Sequence, residues 1–276
     1  MGRLDDIARL TVTRLRGKAE DDSVLRPEGI TFLASGFWVQ LGEGHRAYCT
    51  NRHNVDPSLK KGGLRLTQLE IEARHADGKT TTFHRVQNLE AALWSHQSAD
   101  CAILIDPQLE HLPLGACCFP LPEDWIATQA HFEKLQLADE AFFVGFPGFG
   151  GRMWFDEAAI LPIARNSTLA SIPSVPFTNA EIRTSDTLMV AGLSFTGSSG
   201  SIVVNRAKGI APGGDIRDPA HVPAFAIGVM SGHFSEPSPQ QPTALRHGGL
   251  SYLTRSTSLH ELFQTARAAG FRHSDL

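Results

Sequence analysis

The sequence predicts an all-β protein made of two packed β-barrels or sandwiches, followed by one α-helix at the C-terminus. Short runs rich in aromatic and β-branched residues recur along the chain, in two groups on either side of a helix-tolerant stretch at 124–137. A capping pattern followed by an apolar stripe at 258–270 predicts the helix. Strands and helices do not alternate along the chain, so we do not expect a doubly wound parallel sheet.

The first group of strand-like runs begins at Gly29, after polar and mixed residues that form an N-terminal segment at 1–25. Within that segment, the spacing of apolar residues at 4–10 predicts a short helix. The first β unit is expected at 26–125, and LGEGH within it indicates a hairpin connection. Its runs are GITFLASGFWVQL, HRAYCT, LRLTQLEIEA, TTTFHRV and CAILID.

The second β unit is expected at 126–256 and the terminal helix at 257–276. Two stretches rich in Gly, Pro and polar residues, 209–223 and 235–249, are predicted to be exposed loops. Ser258 and Glu261 predict a capping box, Gly270 predicts the C-terminal end of the helix, and its apolar face is Leu259, Leu262, Phe263 and Ala266. The strand-like runs are EAFFVGF, AAILPIA, TLMVAG, SIVVN, AFAIGVMSG and GLSYLT.

Composition is that of an ordinary globular protein. The chain has 276 residues, 42% of them hydrophobic and 20% charged, and a chain of this size can bury a core without covalent staples. Its net charge of −4 argues against a nucleic-acid binder, which would carry a basic surplus. No apolar run approaches the ~20 residues of a membrane span, and the acidic start is unlike a secretory signal. We therefore expect a cytoplasmic protein that binds neither nucleic acid nor membrane.

The four cysteines are Cys49, Cys101, Cys117 and Cys118. The adjacent pair does not have a zinc-ligand spacing, and no other pair stands at a C-x₂₋₄-C interval. Since no export signal accompanies them, we expect four reduced, buried thiols; a disulfide between two of them stays open, but no feature of the sequence supports it. The sequence indicates no metal site and no cofactor.

Three segments carry side chains suited to nucleophilic catalysis. A β run ends at His53, Asp100 stands at the mouth of an apolar strand, and Ser199 lies in a small-residue turn before another strand. Each alone is weak evidence, because Asp, Gly and Ser are ordinary turn formers. Together they supply a nucleophile, a base that titrates near neutral pH and a carboxylate to orient that base. Gly197 and Gly200 on either side of the serine allow a sharp turn, in which successive N–H groups can face one oxyanion.

These segments, in the order His, Asp, Ser, resemble the chymotrypsin-fold (trypsin-like) serine peptidases, especially bacterial members without disulfides. The family has T-x-x-H, D-[LIV]-A-[LIV]-L and G-x-S-G-[SG]-P-[LIV], and this chain has TNRH, DCAIL and GSSGSIV. Residues 35–39, 144–147 and 227–232 match neighbouring family strands, so the resemblance covers about 30–253. It implies two six-stranded antiparallel β-barrels with the terminal helix docked on the second.

The resemblance also implies a role for each matched residue. His53 is then the general base, Asp100 orients it, and Ser199 is the nucleophile. The backbone N–H groups of Gly197 and Ser199 form the oxyanion hole, and Ser231 supports the aspartate and presents backbone to the substrate. The implied activity is hydrolysis of a protein or peptide substrate through an acyl-enzyme.

In the family, the specificity pocket is lined by the residues five and six positions before the nucleophile and by the later strand. Cleavage after Lys or Arg needs a carboxylate where this chain has Leu193, and Glu- or Gln-selective relatives place a histidine where it has Met230. We therefore expect an apolar or small residue before the scissile bond, although His233 could reach the pocket if the strand register differs. The implied lining is Leu193, Ser194, Met230, Ser231, Gly232 and His233.

The chain departs from the family pattern in three places. The family's disulfides do not fit, because Asn54 stands beside His53 where a cysteine would be. Ile202 replaces the usual proline on the strand after the nucleophile. Ser198 replaces the aspartate that pairs with a newly cut N-terminus in digestive members, so we expect no such activation. An enzyme that is active as made and an enzyme switched by a partner both remain open.

The sequence leaves two alternatives to a peptidase to consider. An α/β-hydrolase nucleophile elbow would need glycine at Ser201 and the order Ser, Asp, His, and both requirements fail. The other alternative is a partner-gated or vestigial trypsin-like domain that acts as a binding or regulatory module. The presence of all three catalytic residue types argues against a vestigial domain, but it does not exclude gating.

Overall fold

The computed structural model describes residues 11–21, 30–59, 64–74, 81–105, 120–149, 152–158, 160–209, 220–238 and 245–271. The expected all-β class is confirmed: the described chain is mostly β, in two units that each contain one large sheet, followed by a C-terminal helix. The first unit contains two single-turn helices, α1 (Arg52–Val55) and α2 (Leu89–Ala92). Its strands are β1 (Val12–Asp21), β2 (Ile30–Gln40), β3 (Arg46–Thr50), β4 (Leu64–Arg74), β5 (Thr81–Arg85), β6 (Leu93–Ser95), β7 (Ala102–Leu104) and β8 (Leu121–Pro122).

The second unit follows a single-turn helix, α3 (Gln129–Phe132), and precedes the terminal helix, α4 (Ser256–Ala268). Two short strands, β10 (Gly148–Phe149) and β11 (Arg152–Met153), pair only with each other in the described residues. The other strands are β9 (Glu140–Gly145), β12 (Ile163–Leu169), β13 (Phe177–Asn179), β14 (Ile182–Ala191), β15 (Ile202–Asn205), β16 (Ala226–Pro237) and β17 (Leu245–Arg255).

The first sheet has the strand order β5-β4-β1-β2-β3-β7-β6, with β8 parallel to β2. Its edge strands β5 and β6 are consecutive in the chain, and in the described part of the chain no ladder joins them. The connecting segment turns back onto the sheet, where the Val86 N–H donates to the Leu69 carbonyl (2.9 Å). This unit is therefore a half-barrel, whereas a closed barrel of six strands was expected.

The sequence did not predict strand β1, which pairs with both β2 and β4. Every second residue of it is charged, so the segment has the composition of a polar linker. In the sheet those charges meet partners: Arg14 Nε donates to Glu72 Oε2 (2.8 Å), and Arg16 pairs with Glu70. The alternation is that of a strand with its apolar face buried. The short helix predicted at 4–10 lies outside the described residues.

The second sheet closes into a six-stranded barrel in the order β12-β9-β15-β16-β17-β14, because β14 also pairs with β12. The predicted exposed loop at 235–249 is wrong at both ends. Residues 235–237 continue β16 and residues 245–247 belong to β17, and they pair as a hairpin. The run AAILPIA is also displaced, since β12 begins only at Ile163.

The hydrophobic core has three parts. One lies inside each unit, around Trp38 and Leu69 in the first and around Phe143 and Val203 in the second. The third lies between the units and contains buried residues from both of them. The terminal helix adds the apolar residues predicted from the sequence, namely Leu259, Leu262, Phe263 and Ala266.

The terminal helix is confirmed, but its start differs from the prediction. It begins at Ser256, and Ser258 and Glu261 do not form a capping box: Ser258 Oγ donates to Asp186 Oδ2 (2.7 Å), and Glu261 Oε2 lies 2.9 Å from His96 Nε2. Long-range partners thus take the place of the local cap. The helix packs against strands of both units, not of the second alone. None of the described helices is long and apolar enough to cross a membrane.

Candidate active site

The first barrel unit places His53 and Asp100 side by side. His53 lies in α1 directly after β3, and Asp100 lies just before β7, the antiparallel neighbour of β3. The end of one strand therefore meets the start of the other. His53 Nδ1 lies 2.7 Å from Asp100 Oδ2, and the His53 backbone N–H donates to Asp100 Oδ1 (3.0 Å). Both side chains are buried. The carboxylate favours a proton on Nδ1 and leaves Nε2 as an acceptor.

Two buried polar side chains hold the backbone carbonyl of Asp100, and Ser231 bonds to both of them. Asn51 Nδ2 donates to the Asp100 carbonyl (2.8 Å) and to Ser231 Oγ (2.9 Å). Thr254 Oγ1 lies 2.9 Å from Ser231 Oγ and donates to the same carbonyl (3.3 Å). Ser231 thus reaches the aspartate through Asn51 and Thr254. Neither Asn51 nor Thr254 is among the site residues expected from the sequence: Asn51 lies inside the motif that ends at His53, whereas Thr254 carries no sequence signal.

The backbone around Ser199 is held in one orientation. The Thr196 carbonyl accepts from the Gly148 N–H (2.8 Å), and the Ser198 carbonyl accepts from the Ser201 N–H (3.0 Å). Because the C=O and N–H of a trans peptide point in opposite directions, the N–H groups of Gly197 and Ser199 point away from these bonds. Within the described residues, neither amide donates to a protein acceptor. These are the two amides that the family resemblance assigns to an oxyanion hole.

Two glycines are required by the turn around Ser199. Gly197 has φ +84° and Gly200 has φ +88°, in the left-handed region. A Cβ at Gly197 would lie 2.5 Å from the Phe146 carbonyl oxygen, and one at Gly200 would lie 1.7 Å from the Ser35 carbonyl oxygen. Ser198 is buried, and its hydroxyl accepts from the Phe195 N–H (3.3 Å) across the turn.

Ser199 and His53 line the same cavity but are not hydrogen-bonded to each other. Ser199 Oγ donates to the Ser231 carbonyl at 3.4 Å. His53 Nε2 is buried and has no hydrogen-bond partner among the described residues. The fold thus brings the hydroxyl and the imidazole to one cavity, with the hydroxyl turned toward its own barrel.

The cavity has a volume of about 390 Å³ and lies at the junction of the two units. Ile30, Phe32 and Leu33 line it from the first unit. Five of the six residues expected in the specificity pocket also line this cavity, namely Ser194, Met230, Ser231, Gly232 and His233. The Leu193 side chain is 50% exposed and is not part of the lining. No aspartate or glutamate lines the cavity among the residues that the structure describes.

Two residues that line the cavity, Ser194 and His233, belong to a polar cluster that also includes His247. The rings of His233 and His247 stack with centroids 4.4 Å apart, and His233 Nδ1 lies 3.4 Å from Ser194 Oγ. The Gly249 N–H donates to His247 Nδ1 (2.8 Å). Burial, with a smaller contribution from the nearby charges of His233 and Arg165, lowers the pKa of His247 below its ordinary value. His247 is thus favoured in its neutral form.

The described cysteines do not take part in the site. Cys49 and Cys101 are free and fully buried, and burial raises the pKa of both thiols well above the ordinary range. Cys117 and Cys118 lie outside the described residues. Across the described ranges, no group of three or more His, Cys, Asp or Glu side chains is arranged to hold a metal ion.

Comparison with known proteins gives a fold likeness only. No protein-family model matches the chain, and no curated protein sequence matches it. Among solved structures, the chain is similar to one described as "Crystal structure of Rv3671c protease, inactive form". The two share 16% identity over 94% of this chain and 89% of that chain, with a TM-score of 0.48. We draw no functional conclusion from that likeness.

Proposed function

We propose that this chain is a serine endopeptidase in which Ser199, His53 and Asp100 act as a catalytic triad. One observation supports this most: a single cavity is lined by Ser199, by His53, whose imidazole is held by Asp100, and by Gly197, whose amide has no acceptor among the described residues. Nucleophile, base and oxyanion donors are the parts that acyl transfer requires. Their chain order and local motifs also match the family resemblance.

The reaction would begin with a rotation of the Ser199 side chain from the Ser231 carbonyl toward His53 Nε2. As Oγ bonds to the substrate carbonyl carbon, Nε2 takes the hydroxyl proton and Asp100 stabilises the imidazolium. The carbonyl electron pair moves onto oxygen, where the amides of Gly197 and Ser199 would stabilise it. Collapse breaks the C–N bond, and His53 protonates the leaving amine. Water, deprotonated by His53, then hydrolyses the acyl-enzyme and releases the carboxylic acid.

The proposed substrate is a protein or peptide with an apolar or small residue before the scissile bond. Met230 lines the cavity and no described lining residue is acidic, so a Lys or Arg side chain would find no counter-charge. A peptide-library digest tests this preference. Cleavage mainly after Lys, Arg or Glu would contradict it, and cleavage after Glu would identify the Ser194–His233 end of the cavity as the specificity determinant.

A fluorophosphonate probe tests the proposed activity, because it reacts only with an activated serine. We expect the wild-type chain to be labelled at Ser199 and the Ser199→Ala variant not to be labelled. The matched control is Ser201→Ala, which removes a buried hydroxyl that has no hydrogen-bond partner among the described residues. If wild type reacts with neither the probe nor a peptide library, with or without cell extract, the peptidase proposal fails.

One observation favours the second candidate, a partner-gated domain. Ser199 Oγ is bonded to the Ser231 carbonyl, and His53 Nε2 has no partner in the part of the chain that the structure describes, so the nucleophile and the base are not yet joined. A gated enzyme would resist the probe when pure and react after a partner is added. Complete labelling of the pure chain would contradict gating.

A further inference from the structure

One buried residue is hydrogen-bonded both to the Ser199 loop and to the strand that precedes His53, although the proposed chemistry does not use it. Ser35 lies on β2 of the first unit and has no solvent exposure. It does not line the cavity described above. Its N–H, its carbonyl and its hydroxyl are all hydrogen-bonded to residues beyond its own strand.

Ser35 holds the Ser199 loop from the opposite barrel unit. Its N–H donates to the Ser199 carbonyl (2.8 Å), and its hydroxyl donates to the Gly197 carbonyl (2.8 Å). The same hydroxyl accepts from the Phe146 N–H at the end of β9 (2.9 Å). The hydroxyl is therefore used both as a donor and as an acceptor, and no water is needed to satisfy it.

These bonds fix the peptides that flank the free amides. The peptide from Gly197 to Ser198 is held at its carbonyl by Ser35 and at its N–H by the Phe195 carbonyl (2.9 Å). The peptide from Ser199 to Gly200 is held at its carbonyl by Ser35 and at its N–H by the Met230 carbonyl (3.0 Å). The Ser199 N–H belongs to the peptide between these two, and the Gly197 N–H belongs to the peptide just before them.

Ser35 is also connected to the turn that carries the base. Thr50 Oγ1 donates to the Ser35 carbonyl (2.9 Å) and accepts from Asn54 Nδ2 (3.0 Å). Asn54 follows His53 in α1. A continuous line of hydrogen bonds thus runs from the α1 turn through Thr50 and Ser35 to the Ser199 loop.

We infer that Ser35 is a positioning residue that orients the oxyanion-binding amides of Gly197 and Ser199 and keeps them in register with His53. The inference rests on the proposed peptidase function. Preorganised donors stabilise the transition state more than the ground state, so a small reorientation lowers kcat with little effect on substrate binding. Ser35 itself touches neither the substrate nor the reacting atoms.

The test uses Ser35→Ala, with rates normalised to active sites titrated by a fluorophosphonate. We expect kcat per titrated site to fall about 10- to 100-fold while KM changes little. This fall in kcat is smaller than the one that removal of an oxyanion donor itself would cause. A peptide boronic acid, which forms a tetrahedral adduct, should lose affinity by the same factor, whereas a non-covalent product peptide should not. The pH dependence of kcat/KM should stay unchanged, because the His53–Asp100 pair is untouched.

The matched control is Ser201→Ala, which removes from the same neighbourhood a hydroxyl that has no hydrogen-bond partner in the described ranges. It should retain the wild-type kcat per titrated site. A wild-type kcat per titrated site in Ser35→Ala, or an equal loss in Ser201→Ala, would overturn the inference while the peptidase proposal stands. If the wild-type chain shows neither labelling nor turnover, the proposed function fails and the inference fails with it.

Thr50→Val decides the question if Ser35→Ala does not fold. This near-isosteric change keeps the Ser35 hydroxyl but removes the bond to the Ser35 carbonyl. We expect a smaller loss of kcat, about threefold to tenfold, with the same selective loss of boronic-acid affinity. Unchanged kcat and boronic-acid affinity in Thr50→Val would then overturn the inference.

Discussion

The two barrel units contribute to the candidate site in different ways. The first unit joins His53 to Asp100 by two hydrogen bonds, and the two residues lie beside the adjoining ends of neighbouring strands in one sheet. In the second unit, the Ser199 hydroxyl bonds to its own barrel, and its loop is held from outside by Ser35. The acid–base pair is thus a local product of one sheet, whereas the nucleophile depends on the junction of both. Substitutions at the junction should therefore affect the nucleophile and leave the His53–Asp100 pair intact.

The largest effect should come from removing either partner of the proton transfer between Ser199 of the second unit and His53 of the first. We expect His53→Ala and Ser199→Ala each to lower kcat about 10⁶-fold, and the double variant to be no slower than either single variant. The losses do not add, because the two side chains act as one unit in proton transfer. Turnover of an activated peptide ester measures all three variants.

His260→Ala is the control for that comparison, because His260 lies on the terminal helix and bonds to the Ile126 carbonyl. It should keep the wild-type kcat. Additive losses in the double variant would mean that His53 and Ser199 do not cooperate across the junction, even though they line one cavity.

Within the first unit, Asp100→Asn should lower kcat about 10⁴-fold without unfolding the protein. The amide can donate to His53 Nδ1, which favours the tautomer that cannot accept the Ser199 proton. Asp186→Asn is the contrast, because Asp186 pairs with buried Arg255 and accepts from Ser258. It should lower the free energy of unfolding and leave kcat per titrated site unchanged. Equal rate losses in the two variants would show that Asp100 has only a structural role.

The junction itself can be broken at Gly200. A Cβ there would meet the Ser35 carbonyl oxygen in a left-handed backbone conformation, so Gly200→Ala should cost about 3–5 kcal/mol of unfolding free energy. Gly249 has a similar φ of +84° but open space around it, so Gly249→Ala should cost only about 1–2 kcal/mol. Denaturant titration measures both. Similar losses of unfolding free energy in the two variants would mean that the contact between Gly200 and Ser35 adds nothing to the cost of Gly200→Ala.

The smallest effect concerns His247, which contacts the cavity-lining residues Ser194 and His233 in the second unit. The folded state lowers the pKa of His247, so the unfolded chain binds the proton first as the pH falls through about 6.5. Unfolding then becomes more favourable as the pH decreases in that range. His247→Gln should reduce the loss of stability between neutral and mildly acidic pH. An unchanged pH dependence of the unfolding midpoint would contradict this prediction.

The sequence determined the β class, most strand positions, the apolar face of the terminal helix and the residues offered for catalysis, because those features follow from local periodicity and turn chemistry. It did not predict β1, because the alternating charges of that segment are typical of a polar linker. Their partners, Glu70 and Glu72, lie on β4 and pair with them only in the folded sheet. The predicted capping box at Ser258 was wrong for a similar reason, because the Ser258 hydroxyl donates to Asp186, a residue distant in the sequence.

Only the tertiary structure decided how the site is held together. Sequence motifs named His53, Asp100 and Ser199. Asn51 and Thr254, however, hold Asp100, and Ser35 holds the Ser199 loop, where its bond to Gly197 joins residues 162 positions apart. The direction of the Ser199 hydroxyl likewise depends on a carbonyl that packing brings near. Hydrogen bonds between distant segments exist only once both barrel units are folded, and a local pattern cannot encode which buried group will meet which.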